Sequence, residues 1–364
     1  GATRLIINAS VGKPQNIAGA STIQVSEQQT KAYNNMGVPG AKSFHLLSPG
    51  YGNIGGVLAG TANPYFVRHA TSSTTTVMDD AMMKNPTFFT NWIGANDVLA
   101  YATSGGTMPN DPLTPVDESM FPANDNFGSA NDVVTNYKGN DITSLNVFSS
   151  SYSTIVNRLT SGGAKGVLAT IPSVTSIPYF TTVPYAPLSP TALGGTANIN
   201  ALNAQLYGLL DGVFTANGEP NRVNPLVATA ANPVLIIDVD AADRSAQISG
   251  YLTTVLNYPV ATANAFGAVF GKARQSTAAD LIVLPASSVI GTINSAAPAG
   301  ININGVSFPL ANKFVLTANE KAKVANATAA YNSAIVSIAA TKNLAVADMN
   351  QILNQLVSGL QVET

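Results

Sequence analysis

The chain has 364 residues and a mass of 37.4 kDa, ample to bury a hydrophobic core. Lys and Arg number 17 against 19 Asp and Glu, a net charge of -2, and charged residues make up 10% of the chain, where about 25% is usual. That balance excludes a basic nucleic-acid footprint and an acidic tail, and 46% apolar residues exclude a disordered chain. The absence of cysteine excludes disulfides, thiolate zinc sites and a Cys nucleophile. Two histidines, His45 and His69, do not make an all-histidine metal site. No apolar run approaches the ~18–20 residues of a membrane span. Gly1-Ala2-Thr3-Arg4 carries neither the basic nor the apolar region of a signal peptide.

In chain order, Leu5-Ile6-Ile7-Asn8 reads as an apolar strand, followed by Ala9-Ser10. Asn35-Met36-Gly37-Val38-Pro39-Gly40-Ala41-Lys42-Ser43 is a tight turn, with Ser43 placed to cap a helix beyond it. A short helix is expected near 75–83, and the apolar run 87–93 is a buried strand ending at Gly94-Ala95-Asn96-Asp97. Four prolines among Asn and Asp make 105–140 a loop insertion or lid. The next helix has Asn140 or Asp141 as its cap, and Ile142, Leu145, Phe148, Tyr152, Ile155 and Leu159 form one stripe. Gly162-Gly163 ends it, and 166–171 is a strand stopped by Pro172. A second proline-rich stretch covers 172–195.

Residues 222–312 carry β-like runs at 234–239 and 281–284 and a hairpin around 301–308, and are expected to form an inserted β-rich subdomain. Thr317-x-x-Glu320 is a capping box opening a helix with Val324, Ala327, Tyr331, Ile335 and Ile338 on one face. The strand 344–347 comes next. Helix then short buried strand, three times, predicts an α/β fold with a parallel sheet covered on both faces.

In open α/β sheets the ligand crevice lies beyond the carboxyl ends of the strands. Asn96 sits one step past the 87–93 strand, where its amide is a neutral, rigid donor suited to an oxyanion. A plain turn in which Asn96 or Asp97 caps the next helix accounts for the same residues. The backbone N–H of Gly40 is a second candidate donor, and two such donors on neighbouring turns make an oxyanion hole.

These residues resemble the SGNH (GDSL-type) hydrolases. Gly94-Ala95-Asn96-Asp97 matches that family's third block in full, and Gly37-Val38-Pro39-Gly40 looks like its second. Residues 37–43, Ala62-Asn63-Pro64-Tyr65-Phe66, 280–288 and 314–320 are similar to a Bacteroidota branch of the family, so the resemblance covers most of the chain. It implies one flavodoxin-like three-layer domain over 1–364, with the β-rich insertion inside it. It further implies serine-nucleophile ester hydrolysis without metal or organic cofactor, with Gly40 and Asn96 as the oxyanion hole and Gly94 and Ala41 beside the substrate. The substrate would be a small ester, an acylated glycan or a lipid, and the protein an exported one, at the cell surface or extracellular.

The family's first block, Gly-Asp/Asn-Ser, and its fifth, Asp-x-x-His, have no counterpart here. The expectation is therefore a hydrolase core whose nucleophile and histidine lie in the remaining N- and C-terminal parts of the same gene product. The competing class is a non-catalytic surface binding protein on the same fold. In flavodoxin-like order the first strand lies mid-sheet, between the strands ending at Gly40 and Gly94. Either residues 4–8 fill that position or another polypeptide segment does, and the weak elbow Asn8-Ala9-Ser10 favours the latter.

Ser10 is the one substitute nucleophile, with a hairpin turn as its plainer role. His45 lies two residues from Ser43, a spacing that diverges on a helix, and is expected to pack or cap. His69 is expected on the surface or in a loop. Asp238-Val239-Asp240-Ala241-Ala242-Asp243 lacks the turn glycine and distal Glu of a calcium loop and reads as solvated. Pro64-Tyr65-Phe66 and Pro178-Tyr179-Phe180 either line an acyl pocket or pack their loops.

Overall fold

The computed structural model describes residues 5–8, 13–16, 24–29, 33–110, 117–126, 132–298 and 300–358. The fold is mixed α/β, with nine strands among the described residues. The strands are β1 (Leu5–Asn8), β2 (Lys13–Asn16), β3 (Phe88–Asn91), β4 (Lys165–Ala169), β5 (Leu235–Ile237), β6 (Ala273–Gln275), β7 (Leu281–Ile282), β8 (Val315–Leu316) and β9 (Ala345–Ala347). The helices used below are α1 (Val77–Met82), α2 (Asn96–Thr103), α3 (Leu145–Thr160), α4 (Ser245–Thr254), α5 (Val260–Phe270) and α6 (Ala318–Lys342). Two compact units divide the chain. One comprises Gly1–Asp97, Ser144–Pro172 and Ala329–Leu353, and the other Val98–Thr143, Ser173–Thr328 and Asn354–Thr364.

In the first unit β3, β4 and β9 form a parallel sheet in that order, parallel as the helix-then-strand repeats predict. Phe88 and Thr90 of β3 and Ala345 and Val346 of β9 are exposed, however, so the sheet is not covered on both faces as expected. Helix α3 lays Phe148, Tyr152, Ile155 and Leu159 inward, and Phe148 stacks on Tyr331 with ring centres 4.1 Å apart. The end of the β4 segment is held by Asn332, whose Oδ1 accepts from Ile171 N at 2.7 Å and whose Nδ2 donates to Ile171 O at 2.8 Å. Thr76 and Asp79 cap α1 reciprocally, and Asp79 pairs with Arg158 at 2.6 Å.

The cap of α3 is Ser144, whose side chain accepts from Val147 N at 3.2 Å, rather than Asn140 or Asp141. Asp141 instead accepts from Asn124 N and Lys138 N, and Ile142 bridges to Asp125. Ser144 wins because its Oγ sits within reach of the amide three residues on, in the first turn of the helix.

Residues 5–8 pair antiparallel with 13–16 and take no place in the parallel sheet. No strand is formed by 33–38 ahead of the Gly40 turn. Among the described residues β3 is thus an edge strand, and residues 5–8 do not lie beside it, which corrects the expectation that 4–8 are one of the two candidates for that place.

The second unit has its own core, in which Leu206, Tyr207, Leu210, Phe214, Leu235, Ile248, Phe270 and Leu310 are buried. Its capping box is formed as expected: Glu320 accepts from Thr317 N at 2.8 Å and Thr317 Oγ1 accepts from Glu320 N at 3.4 Å. The stretch 222–312 departs from the β-rich expectation. It contains α4 and α5 beside the short pair β5–β6 and the strand β7, and 301–308 makes isolated bridges rather than a hairpin. Runs such as Val260–Phe270, rich in alanine with few β-branched residues, satisfy their backbone locally as helix.

Candidate functional site

Pro39 and Gly40 form the corners of a turn closed by Ala41 N donating to Val38 O at 3.1 Å, with Gly40 at φ +78°. That φ needs glycine at the third turn position. Asn63 braces the turn from the side, its Nδ2 donating to Pro39 O at 2.9 Å. The exposed Gly40 N–H meets no acceptor among the described residues.

The second turn comes directly after β3. Gly94 is buried at φ +126°, and a Cβ there would lie 2.6 Å from Ile171 Cδ1 and 2.9 Å from Phe148 Cε2. Only glycine lets this strand end pass so close to the α3 packing. The chain then enters α2 at Asn96.

The two turns meet. Asn96 Nδ2 donates to Ala41 O at 3.0 Å, and Asp97 accepts from Ser43 N and Ser43 Oγ, both at 2.9 Å. Ser43, Ala41 and Asp97 are fully buried, whereas Asn96 is half-buried. Asn96 has a second amide hydrogen beyond the one given to Ala41, as does any primary amide. Both turns border one cavity of about 1050 Å³, which Val38, Pro39, Gly94 and Asn96 help to line. Of the four residues expected at the site, Gly40 and Asn96 present donors, while Gly94 packs and Ala41 offers a carbonyl already engaged.

No nucleophile–base pair arises from the remaining candidates. Ser43 Oγ is committed to Asp97. His45 Nδ1 accepts from Lys42 N at 3.1 Å and its ring stacks on Tyr51 at 4.7 Å, the capping and packing role expected of it. Burial, with Lys42 adding to it, lowers His45 from 6.5 to about 4, so the ring is neutral near pH 7. His69 lies in a turn, the loop position that was one of its two expected places, half-buried between Tyr33 and Phe66, and burial lowers its pKa as well. Ser10 lies outside the described residues.

No group of acidic or histidine side chains suited to a metal occurs among the described residues. Asp238, expected in a solvated loop, turns onto Arg274 at 2.6 Å, and Asp280 holds the same guanidinium at 2.7 Å. Burial opposes that charge, but the hydrogen bonds that Arg274 donates to Asp280 and Asp238 outweigh it and raise its pKa. Phe66 and Phe180 are buried, and Tyr179 donates to Thr103 O at 2.9 Å, so both aromatic–proline clusters pack their own loops. No helix is long and apolar enough to cross a membrane among the described residues.

Sequence reading reached the Gly40 and Asn96 turns but missed the Ser43–Asp97 link. Its one visible signal was the Asp directly after Asn96. Comparison with family models, curated proteins and solved structures found no match to this chain.

Proposed function

We propose that the chain is the core of an SGNH-type serine ester hydrolase, with Gly40 N–H and the Asn96 side chain as donors to the oxyanion of a tetrahedral intermediate. The single observation that carries this reading is the contact of Asn96 Nδ2 with the Gly40–Ala41 turn. That bond joins segments 55 residues apart, and Asn96 lines the cavity of about 1050 Å³ together with Val38 and Pro39 of the same turn. Such preorganised donors act where charge develops, at no reorganisation cost.

The sheet order seen here is compatible with a flavodoxin-like three-layer fold of which β3, β4 and β9 form one side. The nucleophile and its histidine then belong to the first and fifth blocks, outside these 364 residues, and the substrate is an ester of an acyl lipid or an acylated glycan at the cell surface. A binding protein on the same scaffold is the second reading, favoured by the engagement of Ser43 with Asp97 and of His45 with Lys42.

The test is enzymatic and uses the full-length gene product, with the 364-residue chain as comparison. The gene product is expected to turn over a p-nitrophenyl ester and to label with a fluorophosphonate, and the chain alone to do neither. Asn96→Ala in the gene product should lower kcat by roughly 10²–10³. An inactive, unlabelled gene product favours the binding protein, and an unchanged kcat removes Asn96 from the oxyanion hole.

A further inference from the structure

Helices α4 and α5 of the second unit form a tightly packed hairpin. At its base Arg244 N donates to Gly271 O at 2.9 Å, and along the seam Ser249 Oγ donates to Ala263 O at 3.0 Å. A Cβ on Gly267 would collide with Ser245 O and Ser249 Oγ, so the two backbones are in direct contact. Ile248, Leu252, Ala263 and Phe270 are buried and complete the inward face. At the tip Val255 N donates to Tyr251 O and Tyr258 N to Leu252 O, both at 2.9 Å, and Asn257 turns the chain at φ +55°. Every residue from 254 to 262 is exposed, so the tip projects. A turn facing water is ordinarily made of Gly, Asn, Asp, Ser and Pro. Here Val255 is 56% exposed, Leu256 43%, Tyr258 46% and Val260 60%, with Tyr251 at 39% on the last turn of α4. No charged side chain occurs between Arg244 and Lys272. Single exposed apolar residues are ordinary, but a contiguous group of them marks an interaction surface.

We infer that the tip of this hairpin inserts shallowly into a lipid bilayer, with Val255, Leu256 and Val260 below the headgroups and Tyr251 and Tyr258 among them. Charge and shape select that partner. Insertion strips water from whatever enters, and the tip holds no charge that would resist it. Tyrosine joins an apolar ring to a polar hydroxyl and so collects where lipid meets water. A projecting tip needs a fitted socket in a protein partner, whereas fluid lipid moulds itself to it. The nearest charges along the chain lie at the opposite end of the hairpin. Ten residues of α4 rise about 15 Å, beyond the depth of about 5–10 Å that interfacial helices reach. Arg244 there pairs with Glu219 at 3.1 Å, and Lys272 Nζ donates to Val239 O at 2.7 Å. Neither cation is left to draw an anionic headgroup, so the attraction is apolar and independent of lipid charge. The inference does not rest on ester hydrolysis, because it is read as binding without turnover.

The chain has no cysteine, so Leu256→Cys carries a single environment-sensitive fluorophore, and Ser333→Cys, exposed on α6, carries the same fluorophore as control. The probes are phosphatidylcholine vesicles, alone and mixed with phosphatidylglycerol, added to the 364-residue chain. The expected result is a saturable shift of emission to shorter wavelength at 256, quenched by spin-labelled lipid, and no shift at 333. Affinity should agree within about twofold between the two vesicles and between low and high salt. Val260→Asp puts a carboxylate in the first turn of α5, where a helix accepts one, and should leave the urea midpoint unchanged. It should nevertheless weaken binding by about tenfold or more, and Val260→Leu should not. No shift at millimolar lipid overturns the inference, as does full binding by Val260→Asp. Binding confined to the anionic vesicles and lost at high salt places the attraction on cations elsewhere and also overturns it. A shift without vesicles, with a dimer in sedimentation, assigns the tip to a second copy of the chain and does the same.

Discussion

Ser43 gives both its backbone N–H and its hydroxyl to the carboxylate of Asp97, each at 2.9 Å, with both residues fully buried. This is the bolt between the Gly40 turn and the Gly94 turn. A carboxylate accepting two hydrogen bonds in the interior fixes the position of both segments, and with them the Asn96 amide one residue away.

Truncating that carboxylate strands two buried donors. Asp97→Ala is therefore expected to lower stability by about 3 kcal/mol, since each unsatisfied donor costs about 1–3 kcal/mol. Ser43→Ala leaves its backbone N–H bonded and should cost only about 1 kcal/mol. Urea unfolding of both variants checks the ranking, and equal losses would mean that the hydroxyl rather than the backbone amide dominates.

Gly94 combines a positive φ with contact distances that leave no room for a methyl group. Gly94→Ala should cost about 3 kcal/mol from backbone strain and overpacking together. The double variant Gly94→Ala with Ile171→Val removes the Cδ1 atom that lies 2.6 Å from the new carbon, and should recover part of the loss. A strictly additive pair would place the cost in the backbone alone.

The His45 imidazole is held near 4, below its ordinary 6.5, by burial and then by Lys42. Between those values the unfolded chain takes up a proton that the folded chain refuses. The stability tied to the neutral ring is complete above pH 6.5 and is lost as pH falls through 4, up to ~3 kcal/mol by linkage. His45→Gln should flatten that dependence. Unfolding at pH 7 and at pH 4.5 should show wild type losing more stability than the variant, and equal losses would contradict the assignment.

Glu320 behaves in the opposite sense. Burial raises its pKa from 4.5 to about 7, against the hydrogen bonds from Thr317 and Asn312 that favour the charged form. The folded chain keeps a proton that the unfolded chain releases, so this contribution is present below pH 4.5 and is lost as pH rises through 7, up to ~3 kcal/mol. Glu320→Gln stays neutral throughout and offers an N–H toward Asn312, whose Oδ1 is buried without a partner. The variant should gain on wild type between pH 5 and pH 8 in thermal unfolding, and a constant difference would show that Glu320 does not titrate there.

What the sequence determined by itself was local in its physics. The stripe from Leu145 to Leu159, the Thr317–Glu320 box, the Gly163 stop and the short strands at 88–91, 165–169 and 345–347 each depend on residues within a turn or two, and α/β class follows from their alternation. The two glycine turns were legible for the same reason, because Pro39 fixes its own φ while Gly40 and Gly94 admit the positive φ that other residues avoid. The tertiary structure decided everything that spans a distance. Ser144 rather than Asp141 caps α3 because Asp141 is drawn to Asn124. Val260–Phe270 is a helix although short apolar runs read equally well as strand, since their choice is made by packing. Residues 5–8 pair with 13–16 rather than with β3, and no local signal sets a strand's partner. The bond from Asn96 to Ala41 crosses 55 positions and that from Asp97 to Ser43 crosses 54. Such contacts exist only after the chain has folded back on itself, so the geometry of the donor pair belongs to the fold and not to the motifs that compose it.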